Sequence, residues 1–147
     1  MDTRTYLGQL KNIDKRIKNK ISEAEKWREI ALSTSGGKLD DIKVQESGNH
    51  DKLGTAVAMA VDYERESERL AEELTTLKAK IIGQIDGMED PLHYNILYLL
   101  YVENKRFVEV AVMIDYSYKQ TKRHYNNALK SFEEKYGKEY LDKKRVA

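Results

Sequence analysis

The chain of 147 residues contains no cysteine, which excludes disulfides and thiolate metal sites. Proline occurs once, at Pro91. Two phenylalanines and one tryptophan are few anchors for a large core, although ten tyrosines partly compensate. No apolar run is long enough to cross a bilayer and no signal-peptide pattern is found, so a soluble intracellular protein without membrane contact is expected. Metal-ligand clusters, glycine-rich phosphate loops and nucleophile–base pairs are missing too. No enzymatic activity and no cofactor or metal are therefore expected. His50 lies alone in a loop-like stretch, and His93 reads as a cap or surface residue.

Charged residues make up 35% and hydrophobic residues 40% of the chain, with helical periodicity nearly throughout. That mix predicts an all-α fold with long exposed helices. The length suits one domain, or a small domain plus an extension. The net charge of +1 is unevenly placed. From Lys105 onward there are 11 Lys+Arg against 6 Asp+Glu, while the first 104 residues carry 15 against 19. A basic C-terminal module on a mildly acidic stem suits a nucleic-acid contact at one end.

Residues 1–88 read as a helical hairpin. A first helix from about Asp2 to Ser33 carries the stripe Tyr6, Leu10, Ile13, Ile17, Ile21, Ala24, Trp27 and Ala31. Arg4, Lys11, Lys15, Arg16, Lys18 and Lys20 lie between its members, and read as a solvated face more readily than as phosphate contacts. The stretch at about 34–54 holds four glycines and little periodicity, and is expected to be a mobile loop. Helix returns from about Leu53 to Asp86 with the stripe Val57, Val61, Leu70, Leu74, Leu77, Ile81, Ile85 and Met88. Neither stripe can be buried alone, so an antiparallel coiled-coil pairing is expected. It brings the acids between Asp62 and Glu73 toward the basic first helix.

Residues 89–137 read as a compact module. Asp90 and Pro91 fit a cap and first helical position, opening a support helix to about Val102. Asn104 turns the chain. A fourth helix from about Arg106 to Met113 ends at Asp115, where a glycine-like conformation is wanted. Ser117 caps a fifth helix and forms a capping box with Gln120. That helix runs to about Tyr136, with Gly137 as its expected stop. A basic tail follows at 138–147, with Lys143, Lys144 and Arg145.

The last two helices predict a helix-turn-helix. Phe107, Val110, Ala111, Ile114, Thr121, Ala128, Leu129 and Phe132 point inward. Tyr118, Lys119, Gln120, Lys122 and Arg123 are left to read double-stranded DNA beside the cap residue Ser117. Asn126, Asn127 and Lys130 are expected on phosphates. From Ser117 to Lys130 there are four basic residues and no acid. Arginine pairs with guanine, and asparagine or glutamine with adenine, through two hydrogen bonds. His124 and Tyr125 fall toward the packed side.

From Leu97 to Phe132 the phrases LLYVENK, FVEVAVMI, DYS and ALKSF resemble the promoter-reading C-terminal domain of bacterial sigma factors. The whole chain resembles phage-encoded sigma-like regulators of the ArpU/RinA type, which join a helical hairpin to such a module. That resemblance implies control of phage late-gene transcription in the cytoplasm of a bacterial host. RNA polymerase contact or homodimerisation through the hairpin is a further expectation. Tyr118 and Lys119 replace the Arg/Glu pair common in sigma factors, so a different DNA site is implied. Two alternatives stay open: a DNA-packaging accessory protein like the small terminase subunits, and a coiled-coil protein-interaction module.

Overall fold

A computed structural model shows an all-helical chain with no strand among the described residues. It describes residues 1–35 and 48–141, apart from the side chains of 34, 35 and 48–53. Six α-helices follow one another there: α1 (Thr3–Gly8), α2 (Leu10–Ser35), α3 (Gly48–Asp86), α4 (Pro91–Leu97), α5 (Phe107–Ile114) and α6 (Tyr118–Tyr136). A π-helical turn spans Tyr98–Val102 and a 3-10 turn spans Gly137–Glu139.

Two boundaries differ from the sequence reading. The expected first helix is two helices, interrupted at Gln9. There the N–H groups of Gln9 and Asn12 reach only the carbonyls three residues back, at 3.4 Å. The Gln9 side chain also donates to the Tyr6 carbonyl at 2.9 Å, so it competes for a carbonyl that a continuous helix would use. The expected loop is shortened as well, because the backbone at 48–54 is already helical. Its remainder at 36–47 lies outside the described residues, as does the tail with Lys143, Lys144 and Arg145.

Packing gathers the chain into two compact units, Lys15–Thr75 and the rest, Met1–Asp14 with Thr76–Ala147. This grouping differs from a boundary near residue 88. The apolar stripes of α2 and α3 run past the division without a change of spacing, so periodicity alone carries no sign of it.

Within Lys15–Thr75 the partners step backward along α3 as they step forward along α2. Ser67 donates to the Glu23 carboxylate at 3.5 Å, Trp27 stacks on Tyr63 at 4.7 Å, and Arg28 bonds Glu64 at 2.7 Å and Glu68 at 3.0 Å. The helices therefore run antiparallel. The innermost side chains are small: Ala24, Ala31, Ala60 and Ala71, with Leu74 and Ser67. Ile21, expected on the inner stripe, is instead 47% exposed. Alanine lets backbones approach closely, and the larger residues are left at the margins. Of the acidic stretch, Glu64 and Glu68 meet Arg28, and Glu66 and Glu73 pair with Arg69. Of these, only the Arg28 pairs cross between the helices, and such surface pairs stabilise little.

The other unit is centred on Phe132, which is fully buried. Its ring lies 5.0 Å from that of Tyr136, 6.2 Å from Tyr6 and 6.3 Å from Tyr140. Tyr6 and Tyr140 stack nearly parallel at 4.1 Å. Leu7, Ile13, Ile81, Ile85, Ile96, Leu97 and Val110 complete the core. The polar tips around Tyr6 and Tyr140 are paired, while His93 Nδ1 is buried without a hydrogen-bond partner among the described residues. Tyr6 donates to Gln84 at 2.6 Å, Gln84 in turn donates to Glu139, and the Thr3 and Tyr140 hydroxyls share a 2.7 Å bond. Burial raises the Tyr6 and Tyr140 phenols above their ordinary pKa.

The N-terminal residues thus serve the C-terminal module as part of its core. Gly137 ends α6 after Tyr136, with a right-handed backbone at φ −56° and ψ −31° that leads into the 3-10 turn. Glycine fits there for space, since a Cβ would stand 2.8 Å from Leu141 Cδ1. The turn brings Tyr140 back onto Phe132.

Candidate nucleic-acid interface

Asp90 opens α4 by accepting from the Leu92 N–H at 2.8 Å, with Pro91 at the first turn. The support helix then widens into the π turn, closed by Glu103 N–H to Tyr98 O at 3.0 Å and Lys105 N–H to Leu99 O at 2.9 Å. Asn104 takes the left-handed conformation expected of it, at φ 56°. The wider turn places Tyr101, 5% exposed, so that its hydroxyl meets that of Tyr125 on α6 at 2.5 Å. Burial first, and that bond second, push the Tyr101 phenol far above its ordinary pKa.

The α5–α6 turn is a Schellman arrangement. Tyr116 N–H reaches Ala111 O at 3.1 Å and Asp115 N–H reaches Val112 O at 3.2 Å. Asp115 sits at φ 60° and ψ 43°, the left-handed region that aspartate tolerates better than most residues. Ser117 follows as the cap of α6. Its hydroxyl oxygen accepts from Gln120 N–H at 3.1 Å, and Gln120 Oε1 accepts from Ser117 N–H at 3.2 Å, completing the box.

The inner side of α5 and α6 is close to expectation. Val110, Ala111, Thr121, Ala128, Leu129 and Phe132 are buried, while Phe107 and Ile114 are only half-buried. Thr121 is fully buried, and its hydroxyl donates to Ser117 O at 2.8 Å, so a small side chain caps itself where the helices meet. Tyr125 is half-buried, edge-on to Phe107 at 5.6 Å. His124 is half-buried beside Tyr116 at 5.0 Å.

All nine residues singled out from the sequence are exposed. Ser117, Tyr118, Lys119, Gln120, Lys122, Arg123, Asn126, Asn127 and Lys130 share the side of α6 opposite Thr121, Ala128 and Phe132. Four of them already have partners that shape what they can do. Ser117 and Gln120 hold each other, which leaves the Gln120 amide nitrogen as its available donor. Tyr118 is 55% exposed and braced edge-on by Phe107 at 5.1 Å. Asn126 accepts from Arg4 of α1 at 3.3 Å. The acids of α6 are Glu133 and Glu134, near its far end, so the stretch from the turn to Lys130 is free of acids.

Beside this face, the outer surface of α5 exposes Val108, Val112 and Met113. Among the described residues no group of three or more His, Asp or Glu side chains is arranged to hold a metal ion. No helix among them is long and apolar enough to cross a membrane. Neither a protein-family model nor a curated protein nor a solved structure matches the chain.

Proposed function

We propose that this protein is a sequence-specific DNA-binding transcriptional regulator that reads the major groove with the start of α6. One observation carries the reading. The acid-free stretch Ser117–Lys130 exposes Lys119, Lys122, Arg123 and Lys130 on one side of a helix that begins at a tight turn after α5. An α-helix fits the major groove, and its first turns are the part that meets base edges when a preceding helix braces it. Tyr118, Lys119, Gln120, Lys122 and Arg123 supply donors and an apolar ring at the bases. Asn126, Asn127 and Lys130, further along, lie where phosphates pass.

The resemblance to sigma-like phage regulators supplies the context, late-gene promoters. One module buries only about 600–1,000 Å² on DNA and binds weakly alone. A second copy or RNA polymerase, engaged through Lys15–Thr75, would supply the remaining affinity. Titrating duplex DNA at several salt concentrations tests the reading. Lys130 on a phosphate makes log K fall against log[salt] with a slope of about −0.9, and each further cation that meets a phosphate adds as much. A flat salt dependence, or equal affinity for duplex and a neutral polymer, refutes it.

A further inference from the structure

We infer that Arg4, carried by α1 at the other end of the sequence, is a phosphate contact of the same DNA surface. The inference rests on the DNA-binding reading of α6. Arg4 Nη2 donates to Asn126 Oδ1 at 3.3 Å, and its guanidinium carbon lies 5.5 Å from the centroid of the Tyr125 ring. The side chain is exposed and stands at the flank of α6 that also carries Lys122, one turn before Asn126.

The partners seen at this guanidinium are neutral, an amide oxygen and a ring. Arg28, Arg69 and Arg106 instead meet carboxylates. A guanidinium carries five N–H donors in a planar fork, so one bond to Asn126 leaves room for a two-pronged grip on a phosphate. The cation–π contact with Tyr125 reduces the freedom lost on binding. Tyr125 is itself held by the Tyr101 hydroxyl and by Phe107, so the ring under Arg4 is anchored to both the support turn and α5.

The bond to Asn126 also engages its carbonyl oxygen. The amide nitrogen of Asn126, the half able to donate to a phosphate, remains. Arg4 and Asn126 therefore act as a pair, and α1 becomes a second wall of the interface. Lys11, at 5.4 Å from the Tyr101 ring, continues the same basic–aromatic line at the start of α2.

The test is duplex-DNA affinity as a function of salt for the full chain and for R4Q and R4K. R4Q keeps a donor for Asn126 but loses the charge, and R4K keeps the charge. R4Q is expected to flatten the slope of log K against log[salt] by about 0.9, and R4K to restore it. The wild-type advantage over R4Q then shrinks about 3- to 4-fold between 50 and 200 mM salt. In the wild-type chain, duplex DNA should protect Arg4 from phenylglyoxal. Normal DNA binding with an unchanged slope in R4Q, or no protection of Arg4, overturns this inference and leaves the α6 reading standing. A wild-type chain with no salt-dependent DNA binding overturns both.

Discussion

Replacing Tyr6 by alanine should unsettle a helix more than 110 residues away in sequence. The Tyr6 ring is 5% exposed, stacks on Tyr140 at 4.1 Å and faces Phe132 at 6.2 Å. Truncating a large buried aromatic costs about 3–5 kcal/mol. Of that, about 0.5–1.5 kcal/mol belongs to the ring pair with Tyr140 and should appear as coupling in a double-mutant cycle with Tyr140→Ala. The hydroxyl is a smaller share. Tyr6→Phe removes the 2.6 Å bond to Gln84, which keeps Glu139 as a partner, and should cost about 1 kcal/mol. Urea unfolding followed by far-UV circular dichroism reads the totals. With a slope of about 2 kcal/mol per molar, Tyr6→Ala shifts the midpoint down by about 2 M. Amide exchange then locates the effect, because protection in α6 should fall along with that in α1. The sole tryptophan, Trp27, stacks on Tyr63 in the other unit and serves as a separate probe. Unchanged α6 protection in Tyr6→Ala would sink the claim that the N-terminal helix belongs to the C-terminal module.

Further outcomes follow from single contacts. Ser117→Ala removes the cap of α6 and should cost about 1 kcal/mol by thermal unfolding, with Ser117→Gly costing only a few tenths. Gly87→Ala sets a methyl against the Tyr136 hydroxyl and should destabilise by about 1–3 kcal/mol, relieved in combination with Tyr136→Phe. Alkaline pH should unfold the protein. Burial raises the Tyr6, Tyr101 and Tyr140 phenols above 10.0, so the folded chain keeps protons that the unfolded chain releases. Their contribution is whole below pH 10 and is lost as pH climbs above it, and a pH series of urea midpoints should show Tyr101→Phe losing less there.

The pieces legible in the sequence were those set by local chemistry. Asp90 with Pro91, and Ser117 with Gln120, announce helix starts because a short polar side chain is needed at an unpaired N–H. Asn104 and Asp115 mark left-handed turns because few other residues tolerate that backbone. The inner side of α6 follows from spacing alone. What escaped was set by distant partners. Tyr6, Leu10 and Ile13 repeat at the same interval as the alanines and Trp27 beyond them, so the stripe shows a buried face without showing what covers it. Gly137 marks the stop of α6, but nothing local shows that the chain then turns to set Tyr140 beside Phe132. Arg4 reads as one cation among many until its neighbours Tyr125 and Asn126 are known.

The central claim concerns the outer side of α6, and the double substitution Lys122→Gln with Arg123→Gln tests it most directly. A duplex selected by the wild-type chain from a random library supplies the probe, with circular dichroism confirming an unchanged helix content. At about 100 mM salt the expected result is at least tenfold weaker binding, with loss of the preference for the selected duplex over an unrelated one. Affinity and sequence preference equal to wild type would contradict the assignment of this side of α6.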